Sequence, residues 1–230
     1  MKTIGLIGGI TPQSTILYYQ ILNDLANKEF GGNHSCKTII YSLDFGEIAK
    51  LQSQGDWDTL DKIMLEAGKS LEKAGADLII ICANTMHLSI EAIKSVVVIP
   101  VIHIAEATAE KIKEQQIEKV LLLGTRYTME KDFFKVILVS NGIDVIVPNE
   151  AEQQKIHDVI YSELAKGIIN DASKQIYLQI IEKLVAKGAK GVILGCTEIP
   201  LLIQQSDVLV PVFDTTNIHA NAAFNSALNF

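Results

Sequence analysis

Cys196, Thr197 and Glu198 put a thiol, a hydroxyl and a carboxylate in consecutive positions. They follow Gly195 at the end of an apolar run, Val192-Ile193-Leu194, that is bounded by glycines. Such a run reads as a buried parallel strand. Open α/β sheets carry their chemistry at the C-terminal ends of these strands. A thiol placed there can take or give a proton once its surroundings set its pKa. A helix starting just after Cys196 would lower that pKa, so the sequence predicts a thiolate base.

The same stretch has a copy. Gly75-Ala76-Asp77-Leu78-Ile79-Ile80-Ile81-Cys82-Ala83-Asn84-Thr85 matches residues 188–198 at a constant offset. Asn84 pairs with Thr197 and Thr85 with Glu198, so Ala83 pairs with Cys196 and Cys82 with Gly195. An internal repeat of this kind implies two related lobes. Two lobes facing each other would present one group to each face of a substrate carbon. That suits racemisation by two bases, one removing the α-proton and the other returning it. Ala83 occupies the place of the second thiol, and alanine transfers no proton. Cys82 lies one residue earlier, where strand alternation points it into the core as a structural thiol. It remains a candidate base only if the strand ends early.

Further residues gather at the ends of the expected strands. Asn84, Thr85, Thr125, Thr128 and Thr197 stand at expected helix starts, where amides and hydroxyls hold carboxylates. Ile10, in the turn Gly8-Gly9-Ile10, reads either as a tight strand-to-helix connection or as a close backbone approach to a ligand. Gln52 overhangs the same sheet edge. Arg126 and Tyr127 belong to the turn after the strand expected at 119–123. Arg126 reads as a carboxylate partner or a solvated turn residue, and Lys166 as a partner for a substrate side-chain carboxylate or an ordinary helix-end lysine. Glu198 either tunes Cys196, binds a substrate amine, or is a first-turn helix acid. His87 is an orienting residue or a helix packing residue. Cys36 reads as inert.

The elements that position these residues alternate. Strands are expected at 2–7, 38–42, 79–81, 96–102, 119–123, 143–147, 192–194 and 208–213. Helices are expected at 14–29, 56–74, 86–95, 105–115, 129–140, 150–165, 172–187 and 216–228, with an irregular or helical segment at 44–54. Alternation of this kind gives parallel α/β sheets. The predicted fold is α/β, with two similar doubly wound parallel-sheet lobes and the active site in the cleft between them. One lobe takes residues 1–103 plus 213–230, the other 104–212.

Composition narrows the partners. Net charge is -7 with no basic run, which argues against nucleic acid. Three widely spaced cysteines fit neither a disulfide framework nor a zinc site, and histidines 34, 103, 157 and 219 show no ligand spacing. No metal is expected. Reduced thiols, no signal segment and no membrane-spanning run predict a cytoplasmic protein.

Residues 79–87, Ile-Ile-Ile-Cys-Ala-Asn-Thr-Met-His, and Gly195-Cys196-Thr197-Glu198 resemble the two signatures of the aspartate/glutamate racemase family. Gly5-Leu6-Ile7-Gly8-Gly9, the segment 122–130 and Val212-Phe213-Asp214-Thr215 are similar to that family too. The resemblance covers essentially the whole chain and is closest to the L-aspartate/glutamate-specific branch. It implies a racemase without PLP or other cofactor, a two-thiol mechanism, a small acidic amino acid as substrate and a homodimer. Ala83 departs from the usual cysteine just before Asn-Thr, and the branch that is nearest carries threonine there. Two rival readings follow from Ala83. One is a one-cysteine, decarboxylase-like relative that protonates an enolate. The other is a non-catalytic binder of acidic metabolites.

Overall fold

Three apolar runs, β1 (Ile4–Gly8), β3 (Leu78–Ile81) and β6 (Val192–Gly195), are buried along their whole length, as parallel strands covered on both faces must be. They belong to two parallel sheets in a computed structural model that describes residues 1–228. One compact unit is Met1–Ile104 with His219–Phe230, and the other is Ala105–Ile218.

The first unit opens with β1 and α1 (Pro12–Phe30), whose N-cap Thr11 accepts from the Ser14 amide. It continues through β2 (Thr38–Ser42), α2 (Phe45–Gln54) and α3 (Trp57–Lys73), the last two capped by Asp44 and Asp56. After β3 come a 3-10 helix, Thr85–Ser89, and the short α4 (Ile90–Lys94). The sheet order is β2-β1-β3. Strand alternation then divides the core. Ile79, Ile81 and Ala83 pack with Leu60, Met64 and Ile93 on one side. Leu78, Ile80 and Cys82 pack with Tyr18, Leu22 and Phe224 on the other.

α5 (Ile104–Glu114) leads into the second unit. There follow β4 (Lys119–Gly124), α6 (Arg126–Glu130), α7 (Asp132–Ser140), β5 (Asp144–Ile146), α8 (Glu150–Ser162) and α9 (Asp171–Ala186). α8 starts on a capping box made by Asn149 and Glu152. β6, β7 (Val212–Asp214) and α10 (Thr215–Leu228) complete the chain. The order β5-β4-β6-β7 repeats that of the first sheet with one strand added. The added strand has a counterpart. Ile79 and Val192 are equivalent in the repeat, and their outer neighbours are Val101 and Val212.

Four expectations change. Residues 96–102 form no strand beyond the single bridge at Val101. Pro100 has no N–H, and the Val98 and Ile99 amides donate to the Glu72 carboxylate at 2.7 and 3.2 Å. The strand expected at 208–213 shrinks to Val212–Asp214 because the Gln205 amide ties down this segment, accepting from Val212 N at 2.9 Å and donating to Val210 O at 3.1 Å. The helix expected at 86–95 is a 3-10 turn followed by α4. The helix expected at 129–140 is broken at Lys131, whose backbone is extended.

Candidate active site

The register of β4 and β6 pairs Gly124 with Gly195, which starts Thr125 and Cys196 side by side at the C-terminal edge of the second sheet. Only glycines allow this approach. A Cβ on Gly124 would lie 2.8 Å from the Gly195 carbonyl, and one on Gly195 would lie 2.8 Å from the Leu123 carbonyl. Thr125 caps α6 by accepting from the Thr128 amide at 3.3 Å.

Cys196 is 7% exposed and donates its thiol proton to Glu198 Oε2 at 3.0 Å. The Thr197 hydroxyl donates to the same oxygen at 2.6 Å. Burial pushes the Cys196 pKa well above the ordinary thiol value, the Glu198 charge pushes it further, and the backbone amides of Thr197 and Glu198 pull it down by less. The expected thiolate is therefore corrected: at rest Cys196 is a thiol. No α-helix follows it, since residues 199–201 make only one 3-10 turn. Glu198 is neither exposed nor helical; it is the carboxylate that accepts the thiol's hydrogen bond.

Two tyrosines border this pair, and the sequence alone did not single them out. Burial raises the Tyr161 and Tyr177 pKa values. The Tyr177 hydroxyl donates to Ile156 O at 3.1 Å. The Tyr161 ring lies 4.6 Å from that of His157, tilted by 44°, and the His157 ring also meets Tyr127 at 6.2 Å. The four-residue step from His157 to Tyr161 on α8 was the available signal.

Arg126 points elsewhere. Its Nε donates to Glu130 at 2.6 Å and its Nη1 to Gln154 at 3.0 Å, on the exposed side of α6. The expectation that Arg126 awaits a carboxylate is corrected, because Glu130 already supplies one. Lys166 is exposed on the 3-10 turn after α8, which Gly167 ends in the left-handed conformation.

In the first unit, Ile10, Ala83 and Met86 share one buried cluster, and Gln52 donates from α2 to Met86 Sδ at 3.1 Å. Ala83, Asn84 and Thr85 are all buried. Asn84 has helical backbone angles and makes no side-chain cap, so its expected N-cap role is corrected. Cys82 is fully buried on the opposite side of β3 from Ala83; burial holds its thiol protonated. Cys36 is buried as well, and burial raises its pKa to about 11.

His87 is buried and doubly fixed, donating from Nδ1 to Ala83 O at 2.8 Å and accepting the Ile104 amide on Nε2 at 3.2 Å. It lies in a cluster that no spacing announced. The His87 ring is 5.0 Å from His103 and 5.4 Å from His219. His219 accepts from the Tyr18 hydroxyl at 2.8 Å and donates to Ile102 O at 2.9 Å. Among the described residues no group of three or more His, Cys, Asp or Glu side chains is arranged to hold a metal, and no helix is long and apolar enough to cross a membrane.

The model of the family described as Asp/Glu/Hydantoin racemase matches residues 7–223. A solved structure of a proposed Asp/Glu racemase from Yersinia pestis is 48% identical, with TM-score 0.93 and 100% of both chains covered. An aspartate racemase homologue from Pyrococcus horikoshii OT3 is 41% identical, with TM-score 0.87 and 100% of both chains covered. The broad specificity amino-acid racemase RacX of Bacillus subtilis (strain 168) is 24% identical over 99% of each chain.

Proposed function

The chain belongs to the Asp/Glu/Hydantoin racemase family, and from that premise we propose that it is a cofactor-independent racemase of aspartate, glutamate or both, with Cys196 as its acid/base. The observation that carries this reading is the buried hydrogen bond from the Cys196 thiol to Glu198 at a strand end. The pair can exist in two proton arrangements. With the proton on sulfur, Cys196 is an acid. With the proton passed to the Glu198 carboxylate, the thiolate is a base that can take the α-proton of an amino acid and leave a carbanion. Return of a proton to the other face completes inversion, and return to the same face is exchange without inversion.

The residues proposed to contact substrate are Ile10, Gln52, Asn84 and Thr85 in the first unit and Thr125, Thr128 and Thr197 in the second. The position that the repeat assigns to the second base holds only the Ala83 methyl. The second donor must then be water or a hydroxyl such as that of Thr85. We therefore assign the enzyme asymmetric handling of its two enantiomers. A missing or poorly placed acid/base costs about 10²–10⁴-fold in rate.

Deuterium uptake at the α-carbon, followed by NMR in D₂O for each enantiomer of aspartate and glutamate, tests the assignment. Exchange of one enantiomer should run ahead of inversion, and Cys196→Ser should remove both. Exchange that survives in Cys196→Ser sinks the proposal. Ala83 favours one second reading, one-thiol protonation of an enolate after loss of CO₂. CO₂ release from a malonate-type diacid, without exchange of either amino acid, would select it. Saturable binding of the acidic amino acids with neither reaction would leave only a binder.

A further inference from the structure

Asp214 is a carboxylate that the reaction proposed above leaves unused. It ends β7, and the register of β6 and β7 places it beside Leu194, two residues before Cys196. Val192, Leu194 and Cys196 share one buried cluster, and Val212 packs against it. Side chains alternate along a strand, so Asp214 lies on the face of Val212, which is also the face of Cys196. Neighbouring strands run about 4.8 Å apart. Asp214 thus stands one strand across from the thiol and one pleat before it. The Thr215 hydroxyl fixes this placement by donating to Leu194 O at 2.9 Å.

Local hydrogen bonds use only half of the carboxylate. Oδ1 accepts the Thr216 amide at 2.9 Å and the Asn217 amide at 3.2 Å, which caps α10. Serine, threonine or asparagine would cap it too, without a charge to bury. Oδ2 accepts no hydrogen bond, and among the described residues no cation pairs with the group. Burial outweighs the two amides and raises the Asp214 pKa. Phe213 and Thr215 on either side are buried, whereas Asp214 is partly open to solvent. A half-buried carboxylate with one idle oxygen and no balancing cation fits a ligand that brings a positive charge.

We propose that Oδ2 of Asp214 receives the α-ammonium group of the amino-acid substrate. The proposal rests on the racemase reading and names the partner of the substrate amine, which that reading leaves open. Glu198, the other carboxylate at this sheet edge, already accepts from Cys196 and Thr197. No proton moves to Asp214. The ion pair keeps the substrate nitrogen protonated, so a positive charge stays beside the α-carbon while Cys196 removes the α-proton, and the developing carbanion is stabilised. The same contact selects amino acids over diacids of equal length, because a diacid brings Asp214 no cation.

The test is isothermal titration calorimetry on the full chain with both enantiomers of aspartate and glutamate. Each is set against the diacid that lacks the amine, succinate or glutarate. The preferred amino acid should bind at least tenfold more tightly than its diacid. Asp214→Asn and Asp214→Ser both keep a cap for α10 and remove the charge. In either variant the amino acid should bind about tenfold more weakly, the size of one charge-assisted hydrogen bond, while the diacid binds as before or more tightly. A merely structural change would weaken both ligands alike. Amino-acid preference that disappears in the variants, with no Cys196-dependent exchange in any protein, sinks the racemase reading and keeps the ammonium site. Cys196-dependent exchange with unchanged amino-acid binding in the folded variants sinks only the ammonium site. Equal losses for amino acid and diacid, or no binding of any of the four amino acids, also overturn it.

Discussion

Acid should unfold this protein at a pH where most of its carboxylates are still ionised. The perturbation acts on His87, His103 and His219, buried together in the first unit. Burial lowers the His103 pKa to about 3 and the His219 pKa to about 4. Burial also holds His87 well below the ordinary histidine value, and the neighbouring His103 and His219 rings reinforce this. The other groups facing the cluster do not reverse the sign. Lys94 also lowers His103, and the Tyr18 hydroxyl is a neutral partner of His219.

In the unfolded chain each ring titrates near 6.5. Between that pH and the folded values the unfolded state binds more protons, so stability must fall as pH falls. At pH 5 the unfolded rings are about 1.5 units below their pKa, which is roughly 2 kcal/mol for each ring the fold keeps neutral. His103 and His219 together therefore cost about 4 kcal/mol between pH 7 and pH 5, and His87 adds to the loss. Asp214, whose pKa burial raises, offsets a little of this at lower pH. Against a typical stability of about 5–15 kcal/mol, the loss is decisive. Calorimetric Tm values from pH 7.5 to 4.5 should fall steeply below pH 6.5, and His103→Phe should flatten the slope by close to one proton. A Tm that stays level between pH 7 and 5, or an unchanged slope in a folded His103→Phe protein, would refute the reasoning.

Four other outcomes are expected. Cys196→Ala should abolish α-proton exchange while Cys82→Ser keeps most of it, because the two thiols lie in different environments; equal losses measured by NMR would contradict this. Glu198→Gln removes the charge that raises the Cys196 pKa, so iodoacetamide alkylation of that thiol should move to lower pH, while exchange falls about 10²–10⁴-fold. Gly195→Ala forces a Cβ to within 2.8 Å of the Leu123 carbonyl, and a loss of about 1–3 kcal/mol should appear in urea unfolding. Ala83→Cys should raise inversion relative to exchange for the enantiomer that Cys196 deprotonates, and activity of both proteins should survive dialysis against EDTA.

That the fold holds two similar parallel sheets was legible because the repeat was legible. Matching residues 75–85 with 188–198 placed β3 and β6 equivalently, and their neighbours followed. The short strands were not legible, because side chains intervene. Glu72 takes amides that residues 98–99 would need in a strand, and Gln205 does the same before β7. In the site, Cys196 stood out by position, but its protonation state did not. That depends on a hydrogen bond to Glu198 two residues on, which the spacing permits without requiring. The histidine cluster was invisible because residues 87, 103 and 219 meet only through the fold.

The two copies of the repeat are built differently at their strand-end turns. In the second, the strand-end turn is organised around a carboxylate, with Cys196 and Thr197 both donating to Glu198. The equivalent residues in the first are Ala83, Asn84 and Thr85, with no carboxylate among them. There the turn is held by an imidazole, since His87 binds the Ala83 carbonyl and the Ile104 amide. A thiol restored at position 83 would therefore gain no carboxylate from its own turn to take its proton. Burial alone would raise its pKa, which suits a proton donor and disfavours a base. On the proposed reading the two turns are thus unequal in more than the missing sulfur: the Cys196 turn has a carboxylate to exchange its proton with, while a thiol at position 83 would have none.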